Sequence, residues 1–194
     1  MTLTIRRATP DDAETVAALG RGLNEHLGEP IAHFTADAVR RDLADPAVAI
    51  EVLLAERDGA PVGYALFHTA YTAEYAASGL YMVDLFVVAA ERHRGLGRTL
   101  VAAVAAEAKA RVKTHVWWCS KPDNRSAPAF YRAIGAVAEP MIAHAVSGVA
   151  FESLAAVGAE SADRSSNEPL SRPRPSDIDA KSRGRARASR QPSR

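Results

Sequence analysis

The chain has 194 residues, a formal net charge of +1, 47% hydrophobic residues and 24% charged residues, which is the composition of an ordinary soluble protein. No stretch approaches the roughly 18 uninterrupted apolar residues of a membrane-spanning helix, and the N-terminal segment lacks the apolar core of a secretory signal. We therefore expect a cytoplasmic protein with no membrane partner. The single cysteine, Cys119, excludes an internal disulfide framework, and six scattered histidines do not indicate a metal site.

Residues 155–194 differ in composition from the rest of the chain. They carry nine basic and five acidic side chains and no Phe, Trp or Tyr, so a net charge of +4 here leaves −3 on residues 1–154. Such a segment buries too little apolar surface to offset the entropy of ordering it. We predict one domain at residues 1–157 and a disordered tail at 158–194. The favoured interpretation of the tail is a solvated extension; the alternative is a basic arm that binds nucleic acid.

Apolar periodicity and turn residues predict, in chain order, a strand, two helices, three strands, a long helix, a strand, a short helix and two closing strands. Val16 and Leu23 belong to the buried stripe of the first helix, and Leu100 and Val104 to that of the third. This order predicts a mixed α/β fold with a central sheet of about six or seven strands flanked by about four helices. The elements span residues 2–7, 11–27, 35–45, 50–57, 62–71, 80–88, 95–113, 114–119, 127–134, 142–146 and 149–154.

The joint between the strand at 80–88 and the following helix carries the motif Arg92-x-x-Gly95-x-Gly97. Two glycines at the start of a helix let the backbone approach a bulky anion, and the free N–H groups of the first turn form a phosphate site. Arg94 and Arg98 add positive charge. A glycine pair can also serve only to fit a turn, but the arginines favour a pyrophosphate site.

Two other phosphate motifs fit poorly. A dinucleotide fingerprint requires a third glycine where Leu100 stands and an acidic residue near His115. A nucleoside-triphosphate loop requires Gly-Lys-Ser/Thr, which the chain lacks. The ligand is therefore expected to be a phosphorylated cofactor that binds to a different fold.

A second motif, Asn124-x-x-Ala127-x-x-Phe130-Tyr131-x-x-x-Gly135, follows about 30 residues later at a predicted helix. Together the two motifs resemble those of the Gcn5-related N-acetyltransferases, the GNAT family. The resemblance covers roughly residues 3 to 154 and implies a GNAT fold, acetyl-CoA as the acetyl donor and, as in many relatives, a possible homodimer.

The resemblance also implies roles for individual residues. The backbone of the 85–87 segment would contact the acetyl and pantetheine arm across a gap between two splayed strands, residues 93–98 would hold the pyrophosphate, and Tyr131 would lie near the sulfur. The positions assigned to the cofactor are Leu85, Phe86, Val87, Arg92, His93, Arg94, Gly95, Leu96, Gly97, Arg98, Asn124, Ala127 and Tyr131.

Two residues are candidates for proton transfer. Tyr131 is the family's candidate acid for the departing thiolate; without the motif, an aromatic core residue would be the simpler interpretation. Strand alternation places Met82, Asp84 and Phe86 on one face, so Asp84 is a carboxylate in an apolar strand, where an unpaired charge is costly. Asp84 is therefore expected to receive the substrate ammonium or relay its proton, or else to pair with an internal group. Backbone N–H groups of residues 85–88 would stabilise an oxyanion.

The acceptor is predicted from a narrower resemblance. The segments 63–71 and 80–87 resemble the spermidine/spermine and thialysine acetyltransferases, which carry an acidic pair where this chain has Val83 and Asp84. This favours a small cationic amine similar to a diamine or polyamine, with Glu25 and Tyr75 as further substrate residues. A protein lysine or N-terminal amine is the alternative acceptor, and a non-catalytic acyl-CoA-binding module is the alternative of another class.

Overall fold

A computed structural model describes residues 2–121, 124 and 127–166 of the chain. The fold divides after Glu139 into two compact units. The predicted tail from residue 167 onward lies outside the described residues. Within the described ranges, no helix is both long enough and apolar enough to cross a membrane.

The first unit is a five-stranded sheet with helices on both faces. The strands lie side by side in chain order; the first four run antiparallel, and the fifth runs parallel to the fourth. This mixed α/β architecture confirms the predicted fold class. The strands are β1 (Leu3–Arg7), β2 (Glu51–Arg57), β3 (Ala60–Thr72), β4 (Ala77–Val87) and β5 (Val116–Trp117). The helices are α1 (Ala13–Leu27), α2 (Ala36–Ala44), α3 (Leu96–Ala110) and α4 (Ala127–Ala133), with short 3-10 turns at Pro10–Asp12, Ala73–Tyr75 and Ala89–Glu91.

Two apolar clusters attach the helices to the two faces of the sheet. On one face, Val16 and Leu23 of α1 and Val39 of α2 pack with residues of β2, β3 and β4. On the other face, Leu100 and Val104 of α3 pack with the opposite side of the same strands. The predicted stripes of α1 and α3 are confirmed, because a spacing of three to four residues turns one helix face towards the sheet.

β4 and β5 separate soon after they meet. They pair only at Leu80 with Val116 and at Tyr81 with Trp117. β4 continues to Val87, but beyond Tyr81 its edge towards β5 has no strand partner among the described residues. The two strands therefore leave a gap in the sheet.

A bulge in β4 changes which residues share a face. Consecutive residues of β3 pair with Asp84 and Met82, so Val83 between them is an extra residue in the ladder. Met82 packs in the α3 cluster, whereas Phe86 packs in the cluster of α1 and α2. The expectation that Met82, Asp84 and Phe86 share one face is wrong, because the bulge shifts the side-chain alternation by one residue.

The two closing strands predicted at residues 142–146 and 149–154 are also wrong. Residues 136–147 have no regular secondary structure, and a fifth helix, α5 (Gly148–Ser166), occupies the place of the last strand and crosses the predicted boundary at residue 157. Over the residues that the structure describes, the sheet therefore has five strands rather than six or seven. Alternating apolar residues indicated strands, but helix propensity prevails in a segment with so many strong helix formers, namely Ala150, Glu152, Leu154, Ala155 and Ala156.

A charged cluster ties the start of the chain to the sheet. Arg6 Nη1 and Nη2 donate to the Asp12 carboxylate at 2.8 and 2.7 Å, and Arg6 Nη2 also donates to Glu56 at 2.7 Å. The backbone N–H of Thr9 donates to Asp12 at 2.8 Å. The hydrogen bonds from Arg6, and then those from Thr9, hold the pKa of Asp12 below its ordinary value of 3.8.

We expect Asp12→Asn to lower the free energy of unfolding by about 1 kcal/mol at neutral pH, because it weakens the pair with Arg6 and the cap at Thr9. A carboxylate whose pKa is depressed in the folded state contributes stability above its unfolded value, here 3.8, and the contribution is lost as the pH falls below that value. In urea unfolding, the deficit of Asp12→Asn should therefore shrink on acidification. Asp37→Asn, at an exposed carboxylate, is the matched control. Equal stability of wild type and Asp12→Asn at neutral pH would contradict this assignment.

Candidate active site

The predicted phosphate turn, residues 92–97, joins β4 to α3. His93 and Gly95 both have left-handed backbone conformations, with φ of 61° and 83°. The N–H of Thr99 makes the first helical hydrogen bond, to Gly95 O at 3.1 Å. In the part of the chain that the structure describes, the backbone N–H groups of residues 93–98 make no hydrogen bond. The turn therefore presents free donors at the positive end of the α3 dipole.

Gly95 and Gly97 serve different purposes. A Cβ built at Gly95 meets nothing within 4 Å, so the space in front of the turn is open, and the positive φ there favours glycine. A Cβ built at Gly97 would lie 3.3 Å from Cζ of Phe130, in α4. Gly97 therefore lets α4 pack closely on the first turn of α3, which brings the two predicted motifs into contact.

The three arginines of the turn have different surroundings. Arg92 Nε donates to Val87 O at 2.9 Å, and its guanidinium carbon lies 5.6 Å from the centre of the Phe86 ring. Arg94 forms an ion pair with the preceding 3-10 turn at 3.3 Å, and Arg98 is exposed. Arg92 thus ties the end of β4 to the turn, while Arg98 adds positive charge beside the free N–H groups.

β4 presents backbone groups to the gap. The N–H of Val88 donates to Val62 O of β3 at 3.0 Å. The alternation of an antiparallel ladder then turns the N–H and C=O groups of Leu85 and Val87 towards the gap, and those of Phe86 towards β3. Leu85 and Val87 can therefore offer backbone donors to a ligand, whereas Phe86 contributes its ring.

The carboxyl group of Asp84 is held by a tyrosine. Tyr64 Oη donates to Asp84 Oδ2 at 2.8 Å. Tyr64 is fully buried, and this burial, with the charge of Asp84, raises its pKa, so it remains a donor. Burial also raises the pKa of Asp84, and the hydrogen bond from Tyr64 offsets part of that rise. Tyr64 was not among the predicted site residues; the available signal was a tyrosine in an apolar strand, whose hydroxyl needs a partner when buried.

Tyr131 lies on the β5 side of the gap. Its ring centre is 5.0 Å from that of Trp118 and 5.1 Å from that of Phe130. Trp118 and Phe130 pack against the α3 cluster, whereas Tyr64 belongs to the cluster of α1 and α2. Burial raises the pKa of Tyr131, so its phenol keeps its proton at neutral pH. Asp84 and Tyr131 therefore have different neighbours: Asp84 is bonded to Tyr64, and Tyr131 packs on Trp118 and Phe130.

Asn124 and Ala127 lie at the start of α4. The N–H of Asn124 donates to Lys121 O at 3.1 Å, and the N–H of Ala127 donates to Asn124 O at 3.2 Å. Ala127 is buried. These contacts fix the entry of the chain into α4, the helix that carries Tyr131.

A cleft of about 810 Å³ runs along α1 beside the end of β4 and the phosphate turn. Glu25, a predicted substrate residue, is exposed and lines this cleft together with Phe86 and Arg92. The backbone of Tyr75 lies in the 3-10 turn before β4, at the other end of that strand. The structure thus brings Glu25, but not the backbone of Tyr75, close to Arg92.

Among the described residues, no group of three or more His, Cys, Asp or Glu side chains could hold a metal ion.

Comparison with known proteins identifies a family. The model of the Acetyltransferase (GNAT) family matches residues 21–136, a stretch that contains the phosphate turn, Asp84 and Tyr131. A search of curated proteins finds no match.

Solved structures share the fold at low sequence identity. An integron cassette protein from the mobile metagenome of V. cholerae has a TM-score of 0.67 at 22% identity, covering 80% of this chain and 98% of that one. A ribosomal-protein-alanine N-acetyltransferase from Brucella melitensis biovar Abortus 2308 has a TM-score of 0.60 at 19% identity, covering 76% and 100%. An aminoglycoside N-acetyltransferase in complex with CoA has a TM-score of 0.64 at 19% identity, covering 75% and 95%. As its two motifs predict, the chain belongs to the GNAT family of acetyltransferases.

Proposed function

We propose that this acetyltransferase transfers the acetyl group of acetyl-CoA to the primary amine of a small cationic molecule similar to a diamine or polyamine. One observation carries the proposal: the strand that borders the gap between β4 and β5 carries the carboxyl group of Asp84 and leads into a turn with free N–H groups at residues 93–98. The phenol of Tyr131 lies beside Trp118, which follows β5. Acetyl transfer to an amine needs an anion site for the donor, a path for the thioester and groups that move two protons.

The donor side fits CoA. Free N–H groups at a helix N-terminus bind phosphate, and the open space before Gly95 leaves room for a diphosphate. The N–H groups of Leu85 and Val87 face the gap, where an extended arm can bind as an added strand does. On the β5 side, Asn124 and Tyr131 belong to the motif assigned to the cofactor.

The proton transfers follow from the environments of two side chains. Bound acetyl-CoA supplies a thioester whose acetyl carbon the amine attacks. Because an alkyl ammonium has a pKa of about 10, a proton must leave the nitrogen before the N–C bond forms. Asp84 can accept it, directly or through water, because burial raises its pKa and makes the carboxylate a stronger base. Tyr131 can donate its proton to the sulfur as the C–S bond breaks, and the second proton that leaves the nitrogen then reprotonates Tyr131 through water. Asp84 releases the first proton to solvent.

The acidic groups on the acceptor side support a cationic substrate. Asp84 is half-buried beside Tyr64, and Glu25 lies exposed in the cleft along α1. The charge of residues 1–154 is −3, so the domain as a whole attracts cations.

A screen of acceptors tests the proposed function. CoA thiol release is measured with diamines, polyamines, thialysine, amino acids, aminoglycosides and lysine peptides. We expect release with diamines or polyamines. Release with peptides alone would replace this proposal with a protein acceptor, and CoA binding without release from any amine would replace it with a non-catalytic binding module.

Tyr131→Phe should lower kcat by about 10²-fold, because the phenylalanine ring keeps the packing on Trp118 but has no proton to donate. Steady-state rates of thiol release measure the effect. Tyr71→Phe, at an exposed tyrosine, is the matched control and should retain the wild-type rate. A Tyr131→Phe rate within threefold of wild type would remove Tyr131 from the role of acid.

Asp84→Asn should lower kcat/KM for the amine by about 10²-fold at neutral and higher pH, because the variant has no base. Since the pKa of Asp84 is raised, the wild-type carboxylate becomes protonated at a higher pH than an ordinary aspartate does. The ratio of wild-type to variant kcat/KM should therefore be largest at high pH and shrink on acidification, whereas a ratio independent of pH would show that Asp84 is not the base. Asp37→Asn serves as the exposed control.

A further inference from the structure

A row of aromatic rings crosses three neighbouring strands on the acceptor side. His68 of β3, Tyr81 of β4 and Trp117 of β5 are register partners. The ring centre of Tyr81 lies 5.5 Å from that of His68 and 4.4 Å from that of Trp117. All three side chains are half-buried, so each keeps part of its ring accessible. We call these three residues the aromatic row.

The bulge in β4 puts the aromatic row on the same face as Asp84. Leu80 and Met82 both pack in the α3 cluster, so Tyr81 between them faces the other way. In a regular strand, Asp84 would lie on the face opposite Tyr81, but the extra residue Val83 reverses the alternation. Burial and the neighbouring charge of Asp84 are among the causes that raise the pKa of Tyr81, in agreement with this proximity.

The aromatic row offers ring surface more than hydrogen-bonding groups. Trp117 Nε1 is buried and has no hydrogen-bond partner among the described residues, so a ligand cannot reach it. His68 Nδ1 donates to Thr69 O at 2.9 Å. Cys119 lies beside Tyr81 and contributes, after burial, to the raised pKa of its hydroxyl. A ligand on this side of the sheet therefore contacts mainly aromatic ring surface.

We propose that the aromatic row binds the second, non-reacting ammonium group of a diamine by cation–π contact, while Asp84 receives the reacting nitrogen. The inference rests on the proposed function and specifies its substrate class. Tyrosine and tryptophan ring faces attract an ammonium group, and Val83 between the two subsites provides no charge that could do so. Asp84 and Tyr81 pair with Leu66 and His68, which are two strand residues apart, so the span between them is about 7 Å and suits a diamine of about four to six carbons.

The wild-type enzyme tests this inference with three acceptors of equal chain length: pentane-1,5-diamine, its derivative with one trimethylated nitrogen, and pentylamine. A cation–π contact needs a positive charge but no N–H donor, so the first two should have KM values within about threefold of each other. Pentylamine has no second charge, and its KM should be about tenfold higher at similar kcat. Equal KM values for pentylamine and the diamine would overturn the inference, as would loss of binding on trimethylation.

Variants then locate the contact. Tyr81→Leu should raise the KM for the diamine about tenfold and leave the KM for pentylamine within twofold, whereas Tyr81→Phe, which retains a ring, should resemble wild type. Tyr71→Leu is the exposed control. Equal weakening of both acceptors by Tyr81→Leu would show a merely structural role and overturn the inference. If Tyr81→Leu does not fold, the wild-type acceptor series still decides.

The two proposals fail in different ways. An enzyme that binds CoA but acetylates none of the three amines contradicts the proposed function itself. An enzyme that acetylates pentylamine as efficiently as the diamine contradicts only the role of the aromatic row.

Discussion

The early separation of β4 from β5 is the constraint on which the site depends. Backbone N–H and C=O groups that leave a ladder need other partners, since a buried group without one costs about 1–3 kcal/mol. β4 nevertheless continues past Tyr81 with no strand beside it in the described part of the chain. Its edge can therefore bind an extended ligand without first breaking a sheet. The same strand leads into the phosphate turn, so the edge of β4 that has no strand partner is followed along the chain by the free N–H groups of residues 93–98.

The two side chains proposed to move protons are held by different neighbours. Asp84 accepts a hydrogen bond from Tyr64, which packs in the cluster of α1 and α2. Tyr131 packs with Trp118, which packs against the α3 cluster. The proposed base and the proposed acid therefore have separate partners within the protein. Burial supports both roles, because it makes Asp84 more basic and keeps Tyr131 protonated.

The glycine motif predicted the phosphate turn because the conformation of that turn depends on residues close together in the sequence. The positive φ of Gly95 and the contact of Gly97 with Phe130 are the conditions that a glycine motif at a helix start indicates. The bulge at Val83 depends on pairing with β3, so alternation within β4 alone could not reveal it. The bond between Tyr64 and Asp84 joins two strands and has no signature at short range. The closing strand predicted at 149–154 was wrong because its apolar alternation competes with an alanine-rich helix.

Isothermal titration calorimetry with CoA and with pantetheine, which lacks the diphosphate, tests the central claim most directly. If the N–H groups of residues 93–98 hold the diphosphate, CoA should bind with a Kd in the micromolar range, of order −8 kcal/mol, and pantetheine should bind at least about 100-fold more weakly. Absence of any heat of binding with CoA, or equal affinity for the two ligands, would contradict the account.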